Sequence, residues 1–192
     1  MDEALADTSP YYACVLTGDS LFSTVHKHEL VEDGLAYRVY GSVESGLALL
    51  ALEPSFVLPA SGDLPLHVVD TVRWGKLKQL QLDRSGFVMR WQRYVAALQR
   101  RLEGAAGEQL LLWSHAFARK LLRNFDELDF LIGASEGADG PIAILHYLDD
   151  QPLTPCIYVL ADGAERREPS ASPSASGPSS AGVGAADAVA AS

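Results

Sequence analysis

Cysteine is nearly absent from this 192-residue chain: Cys14 and Cys156 are the only two, far apart and outside any CxxC pair. That excludes a disulfide-stapled scaffold and a cysteine-based structural zinc site, and both thiols are expected to behave as small buried hydrophobes. Long apolar runs are missing too. The longest, Gly46 to Pro59, is broken by Glu53, Pro54 and Ser55 and falls short of the roughly 20 residues that span a bilayer. The first ten residues, MDEALADTSP, have no apolar segment behind a basic start and do not read as a secretory signal or a transit peptide. A cytoplasmic protein with no membrane partner is therefore expected. There is no GxSxG, HExxH, Gly-rich phosphate loop or cysteine–histidine arrangement, so nothing points to catalysis or to a required cofactor.

Cations are scarce, 15 against 25 acidic residues, and they are clustered. Eleven Lys and Arg fall between Arg73 and Arg123, where only Asp83, Glu103 and Glu108 are acidic, a net of +8 inside a chain of net −10. Such a block faces an acidic partner or an acidic part of its own molecule.

What is present is ordinary globular material, 48% hydrophobic and 21% charged, enough for one domain. YYACVL after Pro10, LFSTV and Glu29 to Val31 read as short strands, and Glu32-Asp33-Gly34 as a turn into the strand LAYRVYGSV. Residues 44–65 show no clean period and read as a long loop, followed by LHVVDTVRW as another strand. From Asp83, a plausible N-cap, Phe87, Trp91, Tyr94, Val95, Leu98 and Leu102 recur at helical spacing. Leu110, Trp113, Phe117, Leu121 and Phe125 repeat the pattern after a Gly-rich break, which makes 83–125 a helical hairpin. DFLIG, PIAILHY and PCIYVLA close the domain as strands. Strands grouped before and after the hairpin predict an α+β fold with a largely antiparallel sheet. The expected organisation is a flexible extension over 1–10, a domain over 11–166, and a tail over 167–192 too poor in large apolar residues to pack.

The stretch Asn124 to Gly163 resembles the C-terminal half of the translationally controlled tumour protein family. The matching positions are Asn124-Phe125, Gly133, Asp139-Gly140, Tyr147, Asp149-Asp150, Thr154-Pro155 and Asp162-Gly163. GDSLFSTV, EDGLAYRVYG, VDTV and the basic helix RWQRYVAALQRRLE extend the likeness in the family's order. The resemblance implies a β-tent of mostly antiparallel strands with a projecting αα-hairpin. It further implies binding of tubulin and microtubules, weak calcium binding, and a part in growth control through a Ras-like small GTPase, as exchange factor or chaperone. The chain departs from the family in its extra N-terminal residues, in the apolar segment ESGLALLALEPSFVLPASGD where an acidic loop belongs, in Gly133-Ala134 for Gly-Glu, and in Ser20 for a glutamate that faces the GTPase.

Lys76, Lys78, Arg90, Arg93, Arg100, Arg101, Arg119, Lys120 and Arg123 are the candidates for an acidic partner such as tubulin. The plainer reading is a solvated helix face with cations complementing helix C-termini. Asp19 and Ser20 are the candidate GTPase-facing positions, against a simple turn. Glu136, Asp139, Asp149 and Asp150 offer carboxylates for weakly bound calcium without EF-hand spacing, against solvated turn residues. His26 and His28, with His67, His115 or His146 as third ligand, form the HxH alternative for a metal, although a histidine outside a motif is more often a polar surface residue. Nucleic acid is not an expected partner, because Trp91 and Tyr94 lie on the apolar stripe and the chain is acidic. A monomer is expected. For Leu47, Leu49, Leu50, Leu52, Phe56, Val57 and Leu58 two readings stay open, packing on the sheet or an exposed apolar partner surface.

Overall fold

The computed structural model describes residues 9–45, 67–148 and 151–169. The expected N-terminal extension up to residue 8, the apolar segment Leu47 to Leu58, the pair Asp149-Asp150 and the tail beyond Pro169 lie outside the described residues.

Short runs rich in aromatic and β-branched residues form the strands. β1 (Tyr11–Cys14) lies between β11 (Ala164–Arg167) and β2 (Ser20–Ser23) in a three-stranded sheet. A six-stranded sheet runs in the order β3 (His28–Val31), β4 (Ala36–Tyr40), β10 (Gln151–Leu160), β9 (Ile142–Leu148), β8 (Leu128–Ile132), β7 (Lys78–Leu80). β5 (Val43–Ser45) and β6 (His67–Val69) make a separate pair. Every pairing is antiparallel, as the grouping of strands predicted. β11 reaches Arg167, so the fold extends into the first residue of the expected tail.

Where sequence alone suggested one strand over residues 66–74, the chain leaves β6 at Val69 and turns into the short helix α1 (Asp70–Trp74). Asp70 causes the break. Its carboxylate accepts from the backbone N–H and hydroxyl of Ser42, at 2.8 and 2.7 Å, and from the N–H of Thr71 at 2.6 Å. A side chain that satisfies backbone donors locally competes with a strand ladder.

α2 (Arg84–Gln99) and α3 (Ala105–Leu121) form the hairpin, and a 3-10 turn, Leu122–Glu127, carries the second arm into β8. Asp83 caps α2 as expected, accepting the Gly86 N–H at 2.7 Å. Gly104, at φ 60°, makes the reversal between the arms in a region that disfavours other residues. The predicted stripe is the buried face: Phe87, Trp91, Tyr94, Val95 and Leu98 are at most 2% exposed. Full burial of each such side chain is worth about 1.5–3 kcal/mol.

Two aromatic clusters show which faces meet. Phe87, Phe125 and Phe130 pack together, with ring centroids 4.9 to 6.2 Å apart, and join the helices to the six-stranded sheet. On the three-stranded sheet, Tyr12 stacks on Phe22 at 4.5 Å and meets Tyr37 of β4 at 5.0 Å. Cys14 and Cys156 are free and buried.

Candidate functional site

The candidate cations divide once their surroundings are known. Arg90 on α2 is half-buried and donates from Nη2 to the Gly137 carbonyl at 2.7 Å. Burial first, and the Arg93 charge second, hold its pKa below the usual arginine value. Arg101, just past α2, donates to the Val15 carbonyl at 2.6 Å and fastens the hairpin tip to the β1–β2 turn. Lys120 on α3 pairs with Glu32, which lies in the turn before β4. Lys78 lies on β7, outside the hairpin, and pairs with Glu136 at 2.5 Å. Lys76 occupies the turn between α1 and β7 at φ 52°. Arg93, Arg100, Arg119 and Arg123 are exposed and make no ion pair among the described residues. Four of the nine candidates thus form an exposed, unpaired set on the hairpin, Arg90, Arg101, Lys78 and Lys120 have partners elsewhere in the fold, and Lys76 is exposed in its turn.

Arg119 also lines a shallow groove between the two arms, with Val88, Trp91, Gln92, His115, Ala118 and Leu122. Met89 and Leu112 add exposed apolar surface to the hairpin, at 60% and 69% exposure.

Asp19 and Ser20 open β2. The Asp19 carboxylate accepts the Thr17 hydroxyl at 2.8 Å, the Ser135 hydroxyl at 2.6 Å and the Ser135 N–H at 3.1 Å. Its oxygens are spent on holding the β8–β9 turn. Glu136 is engaged by Lys78, whose hydrogen bond lowers the glutamate's pKa. Asp139 is exposed near Arg90, and Asp149 and Asp150 lie outside the described residues. His26 packs edge-on against Trp74, while His28 meets the Tyr12, Phe22 and Tyr37 rings and hydrogen-bonds from Nδ1 to the His26 carbonyl at 2.8 Å. The His67 side chain lies outside the described residues, and His115 and His146 lie on α3 and β9. Among the described residues no three His, Cys, Asp or Glu side chains gather as a metal would need.

One row of directly paired residues crosses the whole large sheet: Leu80, Phe130, Ile144, Tyr158, Arg38 and Glu29. Direct partners share a face. The row is apolar under the helices and turns polar beyond them. Arg38 stacks on Tyr158 at 5.5 Å and reaches Glu29 at 3.3 Å, and the Tyr40 hydroxyl donates to Glu29 at 2.5 Å. Burial, with Cys156 beside it, pushes the Tyr158 phenol up to about 12. Where α3 ends over this transition there is a cleft of about 100 Å³ with Phe117, Leu121, Leu128 and Tyr158 as its apolar lining and Glu32, Lys120, Asn124 and His146 as its polar groups. Its residues come from six elements, and no spacing in the sequence brings them together.

Antiparallel sheets carrying a two-helix arm make an α+β fold of the β-tent class. A family model described as translationally controlled tumour protein matches residues 11–165, and the chain belongs to that family. It is 26% identical over 158 residues to a translationally controlled tumour protein homologue of Schistosoma japonicum, taking in 77% of this chain and 92% of the relative. A homologue from Labeo rohita is 26% identical over 165 residues, at 80% and 96% coverage. Among solved structures, a translationally controlled tumour-associated protein of Schizosaccharomyces pombe superposes with a TM-score of 0.63. At 23% identity, covering 83% of this chain and 99% of that one, it shows the fold. No helix among the described residues is long and apolar enough to cross a membrane.

Proposed function

We propose that this protein is a non-enzymatic, cytoplasmic interaction protein that binds the acidic surface of tubulin through the exposed cations of its helical hairpin, in the service of growth regulation. The observation that supports this reading is the set Arg93, Arg100, Arg119 and Arg123, exposed and without ion pairs among the described residues, in a chain whose net charge is −10. In such a chain, cations left unsatisfied internally steer an acidic partner to one face. Calcium enters only as a weak ligand of the acidic turns, with Asp139 the exposed carboxylate nearest to that description. A GTPase role is the less favoured reading, because Ser20 carries no charge and the Asp19 oxygens are already engaged.

The test is microtubule co-sedimentation across a salt series, with and without calcium. Saturable pelleting that weakens as salt rises, and is lost in the triple reversal R93E/R100E/R119E, is the expected result, since surface attraction is screened within about 8 Å at physiological ionic strength. Pelleting that the triple reversal leaves unchanged would refute the assignment.

A further inference from the structure

The cleft at the end of α3 is independent of the tubulin reading, and its two halves ask for different chemistry. Its floor is aromatic: the Phe117 and Tyr158 rings meet at 66° with centroids 5.8 Å apart, and both residues are at most 9% exposed. A further ring packs against such aromatic side chains offset-stacked or edge-to-face. Its polar side carries one ammonium, Lys120, already facing a carboxylate from another element, Glu32.

Glu32 is unusual in its own right. It is not glycine, yet its backbone lies in the left-handed region at φ 51°, followed by Asp33 at φ 56°. Residues held there store on the order of 1 kcal/mol or more of strain, and such strain gathers at ligand clamps and switch segments. The Glu32–Lys120 pair does not offset it, since Lys120 is 63% exposed and exposed pairs contribute about 0–1 kcal/mol. The backbone thus delivers a carboxylate to Lys120 at a cost the pair does not repay.

We propose that this cleft binds a small single-ring aromatic carboxylate, its ring against Phe117 and Tyr158 and its carboxylate on Lys120 in the position Glu32 holds. Size limits the ligand to one ring. The volume of about 100 Å³ is below the roughly 150 Å³ of an engineered cavity that encloses benzene, so at most one ring enters and it stays partly open to solvent. The Asn124 amide and the His146 imidazole supply further hydrogen-bonding groups at the polar side.

The test is titration of the full chain with benzoate, followed by amide chemical shifts. Saturable shifts confined to Lys120, Asn124, Leu128, His146 and their neighbours are expected. Removing the competing carboxylate in E32Q tightens binding about threefold, in line with the value of an exposed ion pair. K120M weakens it at least about tenfold, as loss of a charged hydrogen bond does, and an exposed side chain makes that variant a safe fold. Benzamide, which lacks the charge, and 2-naphthoate, which is too wide, bind more weakly than benzoate. N-acetylphenylalanine carries the same ring and carboxylate on a peptide end, and tighter binding of it than of benzoate would overturn the assignment to a free acid. No saturation with benzoate, equal shifts with acetate, or an unchanged affinity in E32Q would each overturn the proposal.

Discussion

Asp19 holds Ser135 from 116 residues away, taking both its hydroxyl at 2.6 Å and its backbone N–H at 3.1 Å. This one carboxylate ties the β1–β2 turn to the β8–β9 turn. Gly133 permits the approach, because a Cβ there would collide with the Asp19 carboxylate. D19A is expected to cost about 1–2 kcal/mol, the value of hydrogen bonds to a charged group at a partly exposed position. D19N, which can still accept, recovers part of the loss. Urea unfolding checks both, and equal midpoints for D19A and the unmodified chain would show that the latch adds nothing to stability.

Tyr94 and Gly163 carry a second expectation. The Tyr94 hydroxyl is fully buried with no hydrogen-bond partner among the described residues, the Cys14 thiol lying near it but outside bonding geometry. It occupies the space a Cβ at Gly163 would take. Since the buried hydroxyl is unpaired, Y94F is expected to match or exceed the parent in stability, because no hydrogen bond is lost and an unsatisfied group is removed. G163A drives a methyl into the hydroxyl and is expected to cost about 1–3 kcal/mol, the range for overpacking a core. The double variant Y94F/G163A should recover a share of that loss, and thermal unfolding of the three proteins measures it. A Y94F variant much less stable than the parent would show that the hydroxyl has a partner.

The helical stripe was legible because one periodic signal covers it: Phe87, Trp91, Tyr94 and Leu98 recur at helical spacing, and all four are buried. The Asp83 cap was legible for the same local reason, a carboxylate three residues before the N–H it accepts. β7 escaped, since three residues, Lys-Gln-Leu, have no period and become a strand only by pairing with β8. The helix at Asp70 escaped because its cause lies at Ser42, a partner 28 residues away. Among the cations, charge was visible and pairing was not. Nothing in the sequence near Arg90 announces the Gly137 carbonyl, 47 residues on, and nothing near Lys120 announces Glu32. The cleft shares this origin, as it is lined from the turn before β4, α3, the 3-10 turn after it, β8, β9 and β10.

That division between structural and free cations is testable on stability alone. R90A removes a 2.7 Å hydrogen bond to a backbone carbonyl from a half-buried site and is expected to destabilise by about 1–2 kcal/mol. R93A, one turn away and exposed, is expected to lie within about 0.5 kcal/mol of the parent. Microtubule pelleting should reverse the order, with R93A the weaker binder. Equal destabilisation by both variants would erase the distinction.

The Asp83 cap predicts a pH dependence of definite sign. Backbone donation from Gly86, then the Ser85 hydroxyl, lowers the pKa of Asp83 below its ordinary value of 3.8. The folded state therefore binds that proton less readily than the unfolded chain does. Its contribution is fully present above the unfolded pKa and is lost as pH falls through the lower folded value. D83A removes it at neutral pH, so the variant should melt below the parent at pH 7 and the gap should narrow as pH falls below about 4. D83N keeps an accepting oxygen without a titrating group, so its cap should change less than the parent's as pH falls. Parallel melting curves for D83A and the parent from pH 7 to pH 2.5 would mean that the carboxylate's charge plays no part in starting α2.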